Sequence, residues 1–247
     1  MHLDTPPGAS TLRARLEHMV ATVTRYPLAR VKIPAQYNPG LSAAELDALE
    51  RAHDVRLGPV LRSLYGATDG FTFFWDVPYE TTPDLIERYN AAEPDPITRI
   101  DWEQTHGIRI APLAHMLAGS DFGDLFLSER DDATMQQWAG RSLTDKAAAA
   151  SVRVFDRYLS EGNEDGCIGL LLLPDQDPRV VGITDSGLVD PARPWMDLGT
   201  YLDLVLTMGG EYGSRYDFMG FSSFPVGELT YTPEQIQRFG RDIFRPL

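Results

Sequence analysis

The 247-residue chain has one cysteine, Cys167, so no internal disulfide framework is available and a reducing cytoplasm is the expected compartment. No apolar run approaches the roughly 18 residues that would span a bilayer. Met1 to Ser10 contains neither an apolar core nor a cleavage pattern, so no export leader is expected there. Basic charge is scarce as well. Against 36 Asp and Glu stand only 22 Lys and Arg, a net charge of −14 that argues against nucleic acid as a partner. The familiar catalytic signatures are missing too: there is no G-x-S-x-G elbow, phosphate-binding glycine loop, dinucleotide fingerprint or H-E-x-x-H pair. The five histidines (His2, His18, His53, His106, His115) include no pair at metal-ligand spacing.

An apolar content of 43% and an aromatic content of 10% belong to a folded globular chain. The charge is uneven. Residues 1–60 hold seven basic and six acidic residues, so the remainder carries −15. An acidic body favours a basic partner and fast, steered association, although acidity also serves plain solubility.

Local rules agree best over residues 41–75. Ser42 followed by Glu45 is a capping box, and Leu46, Leu49 and Ala52 share one face of the helix it opens. Gly58-Pro59 predicts a second helix, which buries Val60, Leu61, Leu64 and Tyr65 and ends near Gly66. Thr68-Asp69-Gly70 is a turn, and Phe71 to Trp75 a strand.

Around this unit, Leu12, Leu16, Met19 and Val23 predict an amphipathic helix, followed by an irregular connector to Gly40 that contains Pro34 and Pro39. Thr82-Pro83 opens a short helix to about Tyr89, within a loop-rich stretch that reaches residue 107. Strands are expected at Ile108–Ile110, Asp124–Ser128, Val152–Tyr158, Ile168–Leu173 and Val180–Thr184. A helical turn is expected at Pro112–Ala118, and one or two helices in the polar excursion of residues 129–150. Asp185-Ser186-Gly187 reads as a hairpin turn. Helices follow over Asp197–Met208 and 233–239, the latter capped by Thr232 with Pro233 and Gln235. Regular strand–helix alternation is absent. The predicted class is therefore α+β, a largely antiparallel sheet packed against helices. The expected division is an N-terminal helix and connector over residues 1–40, docked on one domain over residues 41–247.

Glu50, Leu57-Gly58-Pro59, Leu61, Leu64-Tyr65 and Asp69-Gly70-Phe71 together resemble the leading motif of the SUKH superfamily. That motif runs from a helix with a Glu through Leu-Pro, a short apolar helix and Asn-Gly into a strand. Here Leu-Gly-Pro replaces Leu-Pro and Asp-Gly replaces Asn-Gly, and both changes keep the turn chemistry. The clear resemblance spans about 35 residues, with a looser fit through the later strands and the helix after Trp195. The superfamily contains cell-wall assembly regulators and bacterial immunity proteins that neutralise toxins. The resemblance thus implies a SUKH-like fold and a non-enzymatic cytoplasmic protein that binds a cognate, basic toxin.

Exposure and charge nominate Trp75, Asp76, Glu80, Asp121, Asp124, Glu161, Glu164 and Asp165 as the partner-binding residues. Three consecutive aromatics, Phe73 to Trp75, cannot all face one core, which leaves one for an interface unless the next segment covers it. No catalytic residue, metal ligand or cofactor is assigned, and the oligomeric state is open. Glu161 to Gly166 mimics the start of a calcium loop but has Leu172 where the bidentate Glu belongs. Cys167 opens an apolar strand and reads as a core residue. Arg215, in a glycine-rich loop after the long helix, is expected to pair with Asp217 or another nearby carboxylate. Two alternatives stand beside the immunity reading: a regulatory scaffold with several partners, and a carboxylate enzyme with Asp121 or Asp124 as general base.

Overall fold

The computed structural model describes residues 11–78, 105–119, 134–157, 166–184, 191, 194–211, 213–216 and 227–244. Helix α1 (Leu12–Arg25) is capped by the Thr11 hydroxyl, which accepts from the Ala14 amide, and it buries Leu12, Leu16, Met19 and Val23 as their spacing predicts. Strand β1 (Arg30–Tyr37) follows. The expected irregular connector is thus corrected to a strand. It lies at the sheet edge, where Pro34 has no ladder neighbour to serve on its outer side and where alternate residues remain exposed.

Helices α2 (Ala43–His53) and α3 (Gly58–Ala67) form as expected, and the Ser42–Glu45 capping box is complete. Of the residues expected to be buried in α3, only Leu61, Leu64 and Tyr65 are, while Val60 faces outward and stays exposed. The amide that opens α3 finds its acceptor across the turn. Glu50 Oε1 takes the Leu57 N–H at 2.7 Å, while its other oxygen ion-pairs with Arg62. After β2 (Phe71–Asp76) and β3 (His106–Ile110) comes α4 (Leu113–Ala118), whose first amide donates to Asp69 Oδ1 at 2.7 Å. Of the residues that carry the SUKH resemblance, Glu50 therefore ties α2 to α3, and Asp69 ties the turn before β2 to the start of α4.

The expected helix of residues 129–150 is only partly observed. Strands β4 (Met135–Trp138) and β5 (Arg141–Thr144) form a hairpin first, and α5 (Asp145–Ser151) follows. Trp138 pairs with Arg141, which leaves Ala139 and Gly140 as a two-residue turn, both at positive φ (47° and 80°). That geometry matches the twist of the flanking strands, and a turn sequence of Ala-Gly hides it. The remaining elements are β6 (Val152–Asp156), β7 (Gly166–Leu173), β8 (Gln176–Thr184), β9 (Trp195–Asp197), α6 (Leu198–Thr207), α7 (Gly213–Tyr216) and α8 (Pro233–Ile243). The expected elements at Thr82–Tyr89, Asp124–Ser128 and 185–189 lie outside the described residues.

Seven strands form one antiparallel sheet in the order β1-β2-β3-β6-β7-β8-β9, and helices pack against it, so the class is α+β. The helix-side core joins Leu16 and Val23 of α1, Leu61 and Leu64 of α3, Tyr201 and Val205 of α6, and Ile236 of α8 to Phe71, Phe73 and Trp75 of β2. A second core lies on the opposite face of β6–β8. There Trp138 from the hairpin and Ala148 from α5 meet Val152, Cys167, Leu171 and Ile183. Strand β7 is buried on both faces, with Ile168 and Leu170 in the first core and Cys167 and Leu171 in the second. This explains why its sequence is almost continuously apolar instead of alternating. No helix among the described residues is long and apolar enough to cross a membrane.

Candidate functional site

One end of the sheet collects the polar chemistry. Strand β2 ends there at Asp76, opposite Arg30 at the start of β1, and β3 begins there with His106 opposite Trp75. Antiparallel pairing points the ends of β6 and β8 and the starts of β7 and β9 toward the same side of the sheet, although the register sets Asp156, the end of β6, opposite Ile110, the last residue of β3. The connections 79–104 and 158–165 therefore leave and re-enter the framework on this side, as does the chain between β8 and β9.

Between β3 and β6 the ladder nearly stops. Their register consists of the single pair Ile110–Asp156. The outward-facing backbone of β3 is satisfied by other means. The Arg109 N–H donates to the Asp156 carboxylate (Oδ1, 2.8 Å), and the Gly107 N–H donates to the Gly210 carbonyl just beyond α6 (2.8 Å). The Arg157 N–H donates to the Arg109 carbonyl at 3.0 Å. A side chain and a turn thus take the place of a neighbouring strand.

Asp156 is the centre of this seam. Its second oxygen accepts the Tyr201 hydroxyl at 2.6 Å and pairs with the Arg215 guanidinium at 3.0 Å. Arg215 also donates to the Tyr201 oxygen at 3.2 Å and to the Gly210 carbonyl at 2.9 Å. All three side chains are buried. Burial, reinforced by the Asp156 charge, pushes the Tyr201 phenol well above its ordinary value, so it stays protonated and donates. Nearby, His106 Nδ1 lies 3.9 Å from Glu211 Oε1, and the same carboxylate accepts the Gly213 N–H at 2.8 Å. The Trp75 indole stacks 4.4 Å from His106 and donates to the Gly209 carbonyl at 2.7 Å. Chemically, this cluster sets the Asp156 carboxylate against the Arg215 guanidinium and ties β2, β3, β6, α6 and α7 at one point.

The nominated residues fall in three places. Trp75 is fully buried in the helix-side core, and Phe73 and Phe74 are buried with it. The indole therefore anchors the seam and offers no surface for an interface. Asp76 sits at the rim of the same end. It takes two hydrogen bonds from Arg30 (3.0 and 2.9 Å) and pairs with Lys32 at 3.3 Å. Burial works against its charge, but the hydrogen bonds and charges of Arg30 and Lys32 outweigh it and hold the carboxyl below the usual range. Glu80, Glu161, Glu164 and Asp165 lie outside the described residues, in connections whose flanking strands point toward this side. Asp121 and Asp124 also lie outside them, between α4 and β4.

Sequence reasoning missed the seam residues Asp156, Tyr201, His106 and Glu211. Tyr201 counted only as an apolar helix position, and Asp156 only as the end of a strand. The expected Arg215–carboxylate pair does form, with Asp156 as its partner. Cys167 is buried and free, its thiol pushed up to about 12 by burial, and it is chemically quiet as a core residue should be. Among the described residues, no group of three or more His, Cys, Asp or Glu side chains is arranged to hold a metal ion.

The charge separates cleanly from this framework. The described residues contain 17 basic and 17 acidic side chains. The entire net charge of −14 therefore resides in the remaining segments, above all 79–104 (seven acidic, two basic), 120–133 (five acidic, one basic) and 158–165 (three acidic, none basic).

Comparison with models of known families, with curated proteins and with solved structures finds no match.

Proposed function

We propose that the chain is a non-enzymatic binding protein of the immunity type, which acts in the cytoplasm by capturing a basic protein toxin. The observation that carries this reading is the division of charge. A neutral framework bears an excess of carboxylates confined to a few connections, two of which attach on one side of the sheet. Such an arrangement favours long-range attraction of a Lys- and Arg-rich surface, with carboxylates meeting cations on contact. Glu80, Glu161, Glu164 and Asp165 are the proposed contacts from that side, with Asp121 and Asp124 contributing from the third acidic connection. The resemblance of residues 41–75 to the SUKH motif supports the same class of function.

Capture of partners by the tagged full chain from its own host, followed by a salt step and mass spectrometry, tests this reading. One stoichiometric basic protein, released by salt and losing its toxic activity when the chain is added, is the expected result. Several unrelated partners would favour the scaffold of the same family. No partner, from cells shown to make the basic candidate, would overturn the reading in favour of a small-molecule or enzymatic role.

A further inference from the structure

We propose that the β3–β6 seam is a built-in line of opening, at which the sheet parts locally while the rest of the molecule stays folded. Three observations on the framework carry this. First, the seam has the single register pair Ile110–Asp156, whereas β2 and β3 align continuously from Phe71–Ile110 to Trp75–His106. Likewise β7 and β8 pair without a break from Gly166–Thr184 to Leu171–Arg179, with one shift before Leu173–Gln176. Second, two of the bonds that close it are substitutes: the Asp156 carboxylate holds Arg109, and the Gly210 carbonyl holds Gly107. Both can let go without breaking a ladder. Third, the groups packed into the gap are a carboxylate, a guanidinium and a phenol, all removed from water. Parting β7 from β8 exposes apolar side chains such as Leu170 and Val180. Parting the seam also uncovers Ile108, Ile110 and Phe155 in part, but it returns to the solvent charged groups that lost it on folding, which offsets part of the broken pairing.

The latch is therefore polar, and its parts come from different elements. Asp156 belongs to the β6 side, Arg109 and Gly107 to the β3 side, and Tyr201, Gly210 and Arg215 reach in from α6 and the chain after it. The inference rests on these residues alone and does not depend on the partner-binding reading.

Hydrogen exchange of the intact chain in a series of sub-denaturing urea concentrations tests it. The Gly107, Arg109 and Arg157 amides are expected to exchange faster than the ladder amides of β7 and β8. Their rates should stay flat in urea while the ladder amides accelerate, because local opening exposes little surface and global unfolding exposes much. The mild second-core substitution Ile183→Val supplies an independent arm. It should speed the β7 and β8 ladder amides by roughly two- to tenfold and leave the three seam amides unchanged. Seam amides that rise with urea in step with the ladder amides, or that accelerate equally in Ile183→Val, would overturn the proposal. The urea series on the unsubstituted chain decides the question by itself if the variant does not fold.

Discussion

Asp156 receives a backbone amide, a phenol and a guanidinium at once, so replacing it in the closed seam leaves three groups without their shared acceptor. Asp156→Asn keeps the volume but places an amide against Arg215 and leaves a buried cation uncompensated. Such a loss typically costs about 3–5 kcal/mol. Tyr201→Phe removes one donor to the same carboxylate and should cost less, about 1.5–3 kcal/mol. Urea unfolding of both variants checks the order, and equal losses would mean that the Arg215 pair contributes little. Asp76 gives a separate prediction in pH. Its carboxyl is held below the usual range, so its contribution is fully present above the unfolded value of about 3.9 and is lost as pH falls through the lower folded value. Asp76→Asn should therefore weaken the protein near neutrality and remove part of the stability loss seen below about pH 4. An unchanged acid limb in the unfolding curve would contradict the pairing with Arg30 and Lys32.

Elements were legible where their signals are local. The Ser42–Glu45 and Thr232–Gln235 boxes, the proline at the start of α3 and the apolar stripe of α1 each specify a helix without reference to the rest of the chain. Strand β1 does alternate, with Val31, Ile33, Ala35 and Tyr37 half-buried against exposed Arg30, Lys32, Pro34 and Gln36. It was hidden because a proline inside the run reads as irregular chain, although an edge strand tolerates it. The β4–β5 hairpin was hidden because its turn, Ala139-Gly140, lacks the usual Asn or Asp. Of the seam only Arg215 was legible, as a cation in need of a carboxylate, and its partner was not. Asp156 and Tyr201 lie 45 residues apart, and only the folded sheet brings them together. Glycine positions at this scale make a sharp comparison. Gly140 and Gly210 both have positive φ (80° and 72°), yet a Cβ at Gly140 meets open space while one at Gly210 would lie 2.9 Å from the Gly107 backbone. Gly140→Ala should cost about 1–2 kcal/mol from backbone strain alone. Gly210→Ala should cost more and loosen the seam. Chemical unfolding of the two variants distinguishes them, and a Gly210→Ala protein as stable as Gly140→Ala would contradict the close approach of the turn after α6 to β3.

The whole molecule separates mechanical and electrostatic roles. Its apolar cores and polar seam hold a charge-balanced framework, and the acidic excess lies in the segments of the sequence between the described elements. This separation makes the central claim measurable as a rate. Steered association depends on the field of those carboxylates and is screened with a Debye length of about 10 Å at 0.1 M salt. The direct measurement is the association rate constant between the full chain and the basic protein captured with it, followed by stopped flow from low to high ionic strength. The same series is then run on the triple variant E161Q/E164Q/D165N. A steep fall with salt for the native chain, with a slower rate and a shallower slope for the variant, is the predicted result. A rate that ignores salt, or a variant indistinguishable from the native chain, would contradict the claim that these carboxylates recruit the partner.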